Sequence, residues 1–145
     1  MASVSTYLNF NGTTEAAFTF YKDVFGTEFM GPISRLGDAP PQEGHPELTE
    51  EQKNLVMNVA LPITGGHVIM GTDADENMGF ALTQGNNVYI CLDPDTREEA
   101  DRVFAALAEG GNVEMPLTDM FWGDYFGSLK DKFGSMWMVN CTAKA

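Results

Sequence analysis

With 145 residues, 43% of them hydrophobic and 11% aromatic, the chain is long enough for one domain with a substantial core, which excludes wholesale disorder. Its net charge of −13 repels phosphate backbones and anionic headgroups, so neither nucleic acid nor membrane is expected as a partner. No apolar run reaches the ~18–20 residues that span a bilayer, Met1-Ala2-Ser3-Val4 carries no secretory pattern, and Cys91 and Cys141 sit in apolar runs; a cytoplasmic protein with reduced thiols is expected.

In chain order, Ser5 to Phe10 alternates as a strand. A polar turn at Asn11 to Thr14 leads into a helix from Glu15 to Phe25 that Gly26 ends. Its core stripe reads Ala16, Phe20 and Val24, with Ala17, Phe18 and Tyr21 beside it. Glu28 to Leu36 reads as a strand interrupted by Gly31-Pro32, which suggests a bulge or an edge. Gly37 to Asn54 is a long polar excursion with one helical turn capped by Thr49, of the kind that serves as lid or binding loop. Leu55 to Pro62 and His67 to Thr72 form a hairpin around Thr64-Gly65-Gly66, and Asp73 to Asn86 is a connector.

The order then repeats. Strand Val88 to Leu92 and a turn at Asp93 to Thr96 precede helix Arg97 to Glu109, whose buried stripe is Ala100, Val103, Phe104, Leu107 and Ala108. Strands Asn112 to Leu117, Tyr125 to Lys130 and Ser135 to Cys141 follow, the last two joined around Asp131-Lys132-Phe133-Gly134. Glu15-Ala16 recurs as Glu99-Ala100, and Phe20 and Phe104 fall at matching places. Each half is a βαβββ module that leaves one face to be buried against its twin, so a site is expected in the groove between them.

The motifs Tyr7-Leu8-Asn9-Phe10-Asn11-Gly12, Phe20-Tyr21 to Phe25-Gly26 and Gly37-Asp38-Ala39-Pro40-Pro41 resemble the vicinal oxygen chelate superfamily of glyoxalases, extradiol dioxygenases and bleomycin-resistance proteins. So do Glu99-Ala100-Asp101 to Gly110-Gly111, Met115-Pro116-Leu117, Asp119 to Trp122-Gly123, Tyr125-Phe126-Gly127, and Asp131-Lys132-Phe133-Gly134 to Trp137-Met138-Val139-Asn140. Nearly the whole chain takes part, and within the superfamily it is most similar to the PhnB-like branch. The resemblance implies an α+β fold of two paired βαβββ modules, a curved mixed sheet around a shared groove. Residues 1–145 then form a single domain, with module 1 over about 1–75 and module 2 over about 86–145.

PhnB-like sequences are often described as demethylubiquinone methyltransferases. A Rossmann methyltransferase needs a strand, a glycine-rich turn and a helix N-terminus for its cofactor. Gly110-Gly111 follows a helix and Gly65-Gly66 joins two strands, so that label is discounted.

Superfamily enzymes generally chelate a divalent ion from the first and last strands of each module. Laid on this sequence, those positions fall near Thr6, Met70, Asn87 and Met138, none of them a good ligand for a hard cation. His45 lies in the polar loop, and His67 opens a strand on the face opposite Met70. No metal and no other cofactor is therefore expected. What the groove offers is rings with polar handles and amides: the expected ligand wall is Tyr7, Asn9, Asn58, Met70, Trp122, Tyr125 and Trp137. Phe121, Phe126 and Phe133 are expected in the core.

The reading is a small-molecule-binding homodimer of the glyoxalase/bleomycin-resistance type without the usual metal site. The alternative is a metal-dependent lyase, isomerase or dioxygenase acting on a small oxygenated metabolite, and the residues leave open whether the protein is an enzyme.

Overall fold

The computed structural model describes residues 1–41 and 43–145; Gln42, within the polar excursion expected from Gly37 to Asn54, lies outside the described residues. The chain divides into two compact units, Met1–Leu82 and Thr83–Ala145. The first unit runs β1 (Thr6–Phe10), α1 (Thr14–Phe25), β2 (Ser34–Arg35), α2 (Glu50–Asn54), β3 (Val56–Pro62) and β4 (Val68–Asp73). The second runs β5 (Ile90–Leu92), α3 (Arg97–Ala108), β6 (Asn112–Asp119), β7 (Tyr125–Lys130) and β8 (Met136–Cys141).

Both sheets follow one plan. The strand orders are β1-β4-β3-β2 and β5-β8-β7-β6, with β1 parallel to β4 and β5 parallel to β8, and every other pairing antiparallel. The helix after each first strand makes this arrangement possible. It carries the chain back along the sheet, so the first strand meets the last in parallel while the hairpins pair antiparallel. These are the paired βαβββ modules.

In the first unit, α1 buries Thr14, Ala17, Phe18, Tyr21 and Val24 at three- and four-residue spacing. Phe18 packs edge-on against Phe10, ring centroids 6.4 Å apart, and against Tyr21 at 5.7 Å. A glycine on β4 lets the helix approach, since a Cβ at Gly71 would stand 2.5 Å from Phe18 Cε1. Asp73 joins helix to sheet. Its Oδ1 accepts from the Thr14 amide and hydroxyl, and its Oδ2 from the Val56 amide. Gly26, at φ 65°, closes α1 with its N–H on the Lys22 carbonyl, a left-handed cap that costs glycine little.

In the second unit, Thr96 caps α3 by accepting from the Glu99 amide, and Ala100, Val103, Phe104 and Leu107 face the sheet. Leu92, Leu129, Trp137 and Val139 meet them from the strands. Asp131 lies at the turn into β8, only 3% exposed. Its Oδ1 accepts from the Phe133 and Ser135 amides and its Oδ2 from the Trp137 indole N–H at 2.8 Å.

Several expectations are corrected. Ala16 is exposed and Phe20 only half-buried. The triplet Ala17, Tyr21, Val24 corresponds to Ala100, Phe104, Leu107, so the residue matching Phe104 is Tyr21. The strand expected over Glu28 to Leu36 shrinks to Ser34–Arg35; before the Gly31-Pro32 interruption the Met30 amide reaches the Ala60 carbonyl and the Thr27 hydroxyl the Pro62 carbonyl without forming a ladder. Strand β5 begins at Ile90, and Val88 is 70% exposed. The turn capped by Thr49 is α2, with Gln52 returning the bond to complete a capping box. Among the described residues no helix is long and apolar enough to cross a membrane.

Candidate functional site

Register decides which strand residues look away from the helices, because directly paired residues share a face and neighbours alternate. In the first unit Leu8, Gly71 and Val59 lie in one row against α1. The intervening positions therefore occupy the helix-free face. Tyr7 pairs with Met70, Met70 with Ala60, and Asn9 with Thr72, while Asn58 lies two residues before Ala60. The structure thus brings Tyr7, Asn9, Asn58 and Met70 onto one face, with Tyr7 49% exposed.

In the second unit Leu92, Val139 and Gly127 form the row against α3; a Cβ at Gly127 would stand 2.9 Å from Phe104 Cε2. Tyr125 lies opposite Cys141 and therefore on the α3 side. Its hydroxyl donates to Asp101 at 2.6 Å and its ring stacks under the Arg97 guanidinium at 4.8 Å. The bond to Asp101 holds the phenol pKa above its ordinary value, since the carboxylate favours the protonated form. Trp137 pairs with Leu129 on the same side and is fully buried. Neither belongs to the helix-free face, which corrects the expectation that both line a ligand wall. Alternation along β7 and β8 sends these positions inward.

That face instead carries Cys91, Phe126, Ser128, Met136, Met138 and Asn140. Asn140 donates to Asp124 at 3.0 Å. Trp122, in the turn before β7, is 51% exposed and rests edge-on against Phe126 at 6.0 Å. Phe121, expected in the core, is 98% exposed and meets the edge of this cluster at Trp122. Tyr125-Phe126-Gly127 contained the needed signal: once Gly127 is assigned to the helix side, Phe126 must face away.

One link spans the sheet. The Tyr89 hydroxyl, just before β5, donates to Glu114 on β6 at 2.8 Å, although β8 and β7 lie between those strands. The carboxylate raises the Tyr89 phenol pKa. A hollow of about 470 Å³ lies elsewhere, at the C-terminal end of α3, bounded by Gln84, Gly110, Asn112, Lys130, Lys132 and Phe133. It contains none of the expected site residues, and Lys132 there stands where a cation offsets the negative helix end.

The family model described as 3-demethylubiquinone-9 3-methyltransferase matches residues 2–140. Protein YjdN of Escherichia coli is 30% identical over 142 residues, 94% of this chain and 93% of its own. The crystal structure of protein PA1353 from Pseudomonas aeruginosa superposes with a TM-score of 0.81 at 33% identity, covering 97% of this chain and 98% of that one. The PhnB protein from Bacillus cereus gives 0.72 at 29% identity, covering 97% and 99%. The chain belongs to the PhnB-like branch of the vicinal oxygen chelate superfamily. A glyoxalase/bleomycin resistance protein/dioxygenase family enzyme from Burkholderia phytofirmans, at 22% identity and a TM-score of 0.62, shares the fold.

The two glycine pairs do not stand where the cofactor turn of a Rossmann methyltransferase would need them. Gly65-Gly66 lies between β3 and β4, and Gly110-Gly111 between α3 and β6, so neither pair opens a helix.

The superfamily also implies a divalent ion between the first and last strands of a module. Register places Tyr7 beside Met70 and Cys91 beside Met138 on the helix-free faces. The expected positions Thr6 and Asn87 give way to Tyr7 and Cys91. Thr6 pairs with Ile69 on the α1 side, its hydroxyl 2.9 Å from His67 Nε2, and Asn87 precedes β5. Among the described residues no three His, Cys, Asp or Glu side chains come together. Neither pair, a phenol with a thioether or a thiol with a thioether, suits a hard cation, so neither fits the superfamily's usual ion.

Proposed function

We propose that this protein binds a small, partly apolar metabolite on a helix-free sheet face, without the divalent ion its superfamily generally uses. The carrying observation is the chemistry of that face in each unit. Tyr7, Asn9, Asn58 and Met70 in the first unit, and Trp122 with Phe126 in the second, offer apolar contact area plus a few oriented donors and acceptors. Imidazole and carboxylate ligands do not stand at the paired positions. A cytoplasmic setting belongs to the same reading, since Cys91 and Cys141 are both free thiols.

Trp122 gives the discriminating variant. Its ring is half exposed, so Trp122→Ala is expected to change stability by less than about 1 kcal/mol. Loss of its contact area is expected to weaken a bound metabolite about thirtyfold, or about 2 kcal/mol. A thermal-shift screen of metabolites, followed by calorimetric titration of wild type and variant, reads both quantities. Undiminished binding by Trp122→Ala would remove this surface from the proposal.

A homodimer is part of the same proposal. Strand β6 is a sheet edge whose Val113 and Met115 are 42% and 44% exposed, and unpaired apolar edges call for cover. Sedimentation equilibrium at micromolar concentration is expected to give about twice the 15.9 kDa chain mass; a chain-mass species alone would refute the dimer.

A further inference from the structure

The second unit carries three sulfur-bearing side chains on one side of two adjacent strands. Cys91 on β5 pairs directly with Met138 on β8, and the segment Met136-Trp137-Met138 puts a second methionine on the same side two residues earlier. The intervening Trp137 turns inward to Asp131, which pins the alternation and keeps both thioethers on the helix-free face. Cys91 is exposed and Met138 half-buried, so this edge of the set is open to solvent.

We propose that Cys91, Met138 and Met136 form a binding site for a soft monovalent metal ion, Cu(I) or Ag(I). Paired residues on adjacent strands stand about 5 Å apart, and two sulfurs sharing one ion at about 2.3 Å each need a separation just under that. Thiolate and thioether donors select Cu(I) over the hard and borderline divalent ions. Asp93, whose charge acts on the thiol, accepts from the amide and hydroxyl of Thr142. Burial, with Asp93 second, raises the Cys91 thiol pKa and so favours the form that carries its proton. Binding replaces that proton: the S–H bond breaks, the sulfur–metal bond forms, the proton passes to buffer, and no oxidation state changes. The site shares the helix-free face of the second unit with the proposed metabolite surface but does not rest on that reading, and it differs from the superfamily's divalent site in donor chemistry.

The test is anaerobic titration of the full reduced chain with Cu(I) against a chromogenic Cu(I) chelator, with Zn(II) and Mn(II) titrated in parallel. A single retained Cu(I) per chain is expected, with no comparable retention of either divalent ion. Cys91→Ser and Met138→Leu are each expected to weaken retention at least about tenfold. Met57→Leu, an exposed methionine of the first unit, is expected to change nothing. X-ray absorption at the copper edge should show sulfur neighbours only. Circular dichroism is expected to show Cys91→Ser folded, since the position is exposed. No Cu(I) retention by the wild type, unaltered retention by folded Cys91→Ser, or nitrogen and oxygen neighbours at the copper would each overturn the site.

Discussion

Asp131→Ala is expected to lower the unfolding free energy by about 4 kcal/mol, among the largest losses any single polar truncation in this chain should cause. The carboxylate is 3% exposed and accepts from an indole N–H and two backbone N–H groups, all of which the alanine would strand. A buried donor without a partner keeps its full desolvation cost, which exceeds what the bond contributes when made. Asp131→Asn keeps one acceptor oxygen and should recover part of the loss. Trp137→Phe keeps most of the ring and removes only the indole donor, so it should cost less than Asp131→Ala. Urea unfolding of the three variants checks the order. A loss under about 1 kcal/mol for Asp131→Ala would mean the turn into β8 is held by something else.

The second large effect is a coupled pair in the first unit. Phe18→Ala removes a fully buried ring that contacts Phe10 and Tyr21, and is expected to cost about 3–5 kcal/mol. Gly71→Ala fails for the opposite reason. Its new Cβ would stand 2.5 Å from Phe18 Cε1 and 3.0 Å from Thr14 Cγ2, an overpacking cost of about 1–3 kcal/mol. The two defects occupy one place. In the double variant the methyl group enters the space the ring has left, so the combined loss is expected to fall short of the sum by about 1 kcal/mol or more. Additivity in a denaturation cycle would show that the helix had already shifted away from β4 in one single variant.

Each helix and most strands were legible from local pattern. The apolar three- and four-residue spacing in α1 and α3, the cap at Thr49 and the glycine at Gly26 act within a few residues of themselves, so the chain needs no tertiary partner to announce them. The repeat was legible for the same reason, although its register in the helices was off by one until burial separated Tyr21 from Phe20. The weak elements were not legible. Two-residue β2 exists only because β3 offers it a partner, and no propensity in Glu28 to Leu36 marks where that partner stops.

The candidate site divides along the same line. That Tyr7, Asn9, Asn58 and Met70 are available as contact residues follows from their chemistry, but their sharing a face is a matter of register between β1, β3 and β4. For Tyr125 and Trp137 composition pointed the wrong way, because an aromatic with a polar handle suits a ligand wall and a buried hydrogen bond equally well. Only the tertiary structure supplied the handles' partners, Asp101 on α3 and Asp131 before β8, 24 and 6 residues away in sequence. The sequence by itself determined the βαβββ plan used twice and the acidic balance of charge. The tertiary structure decided which side of each strand faces the helix, since side chains alternate at every residue and a shift of one exchanges the two faces completely.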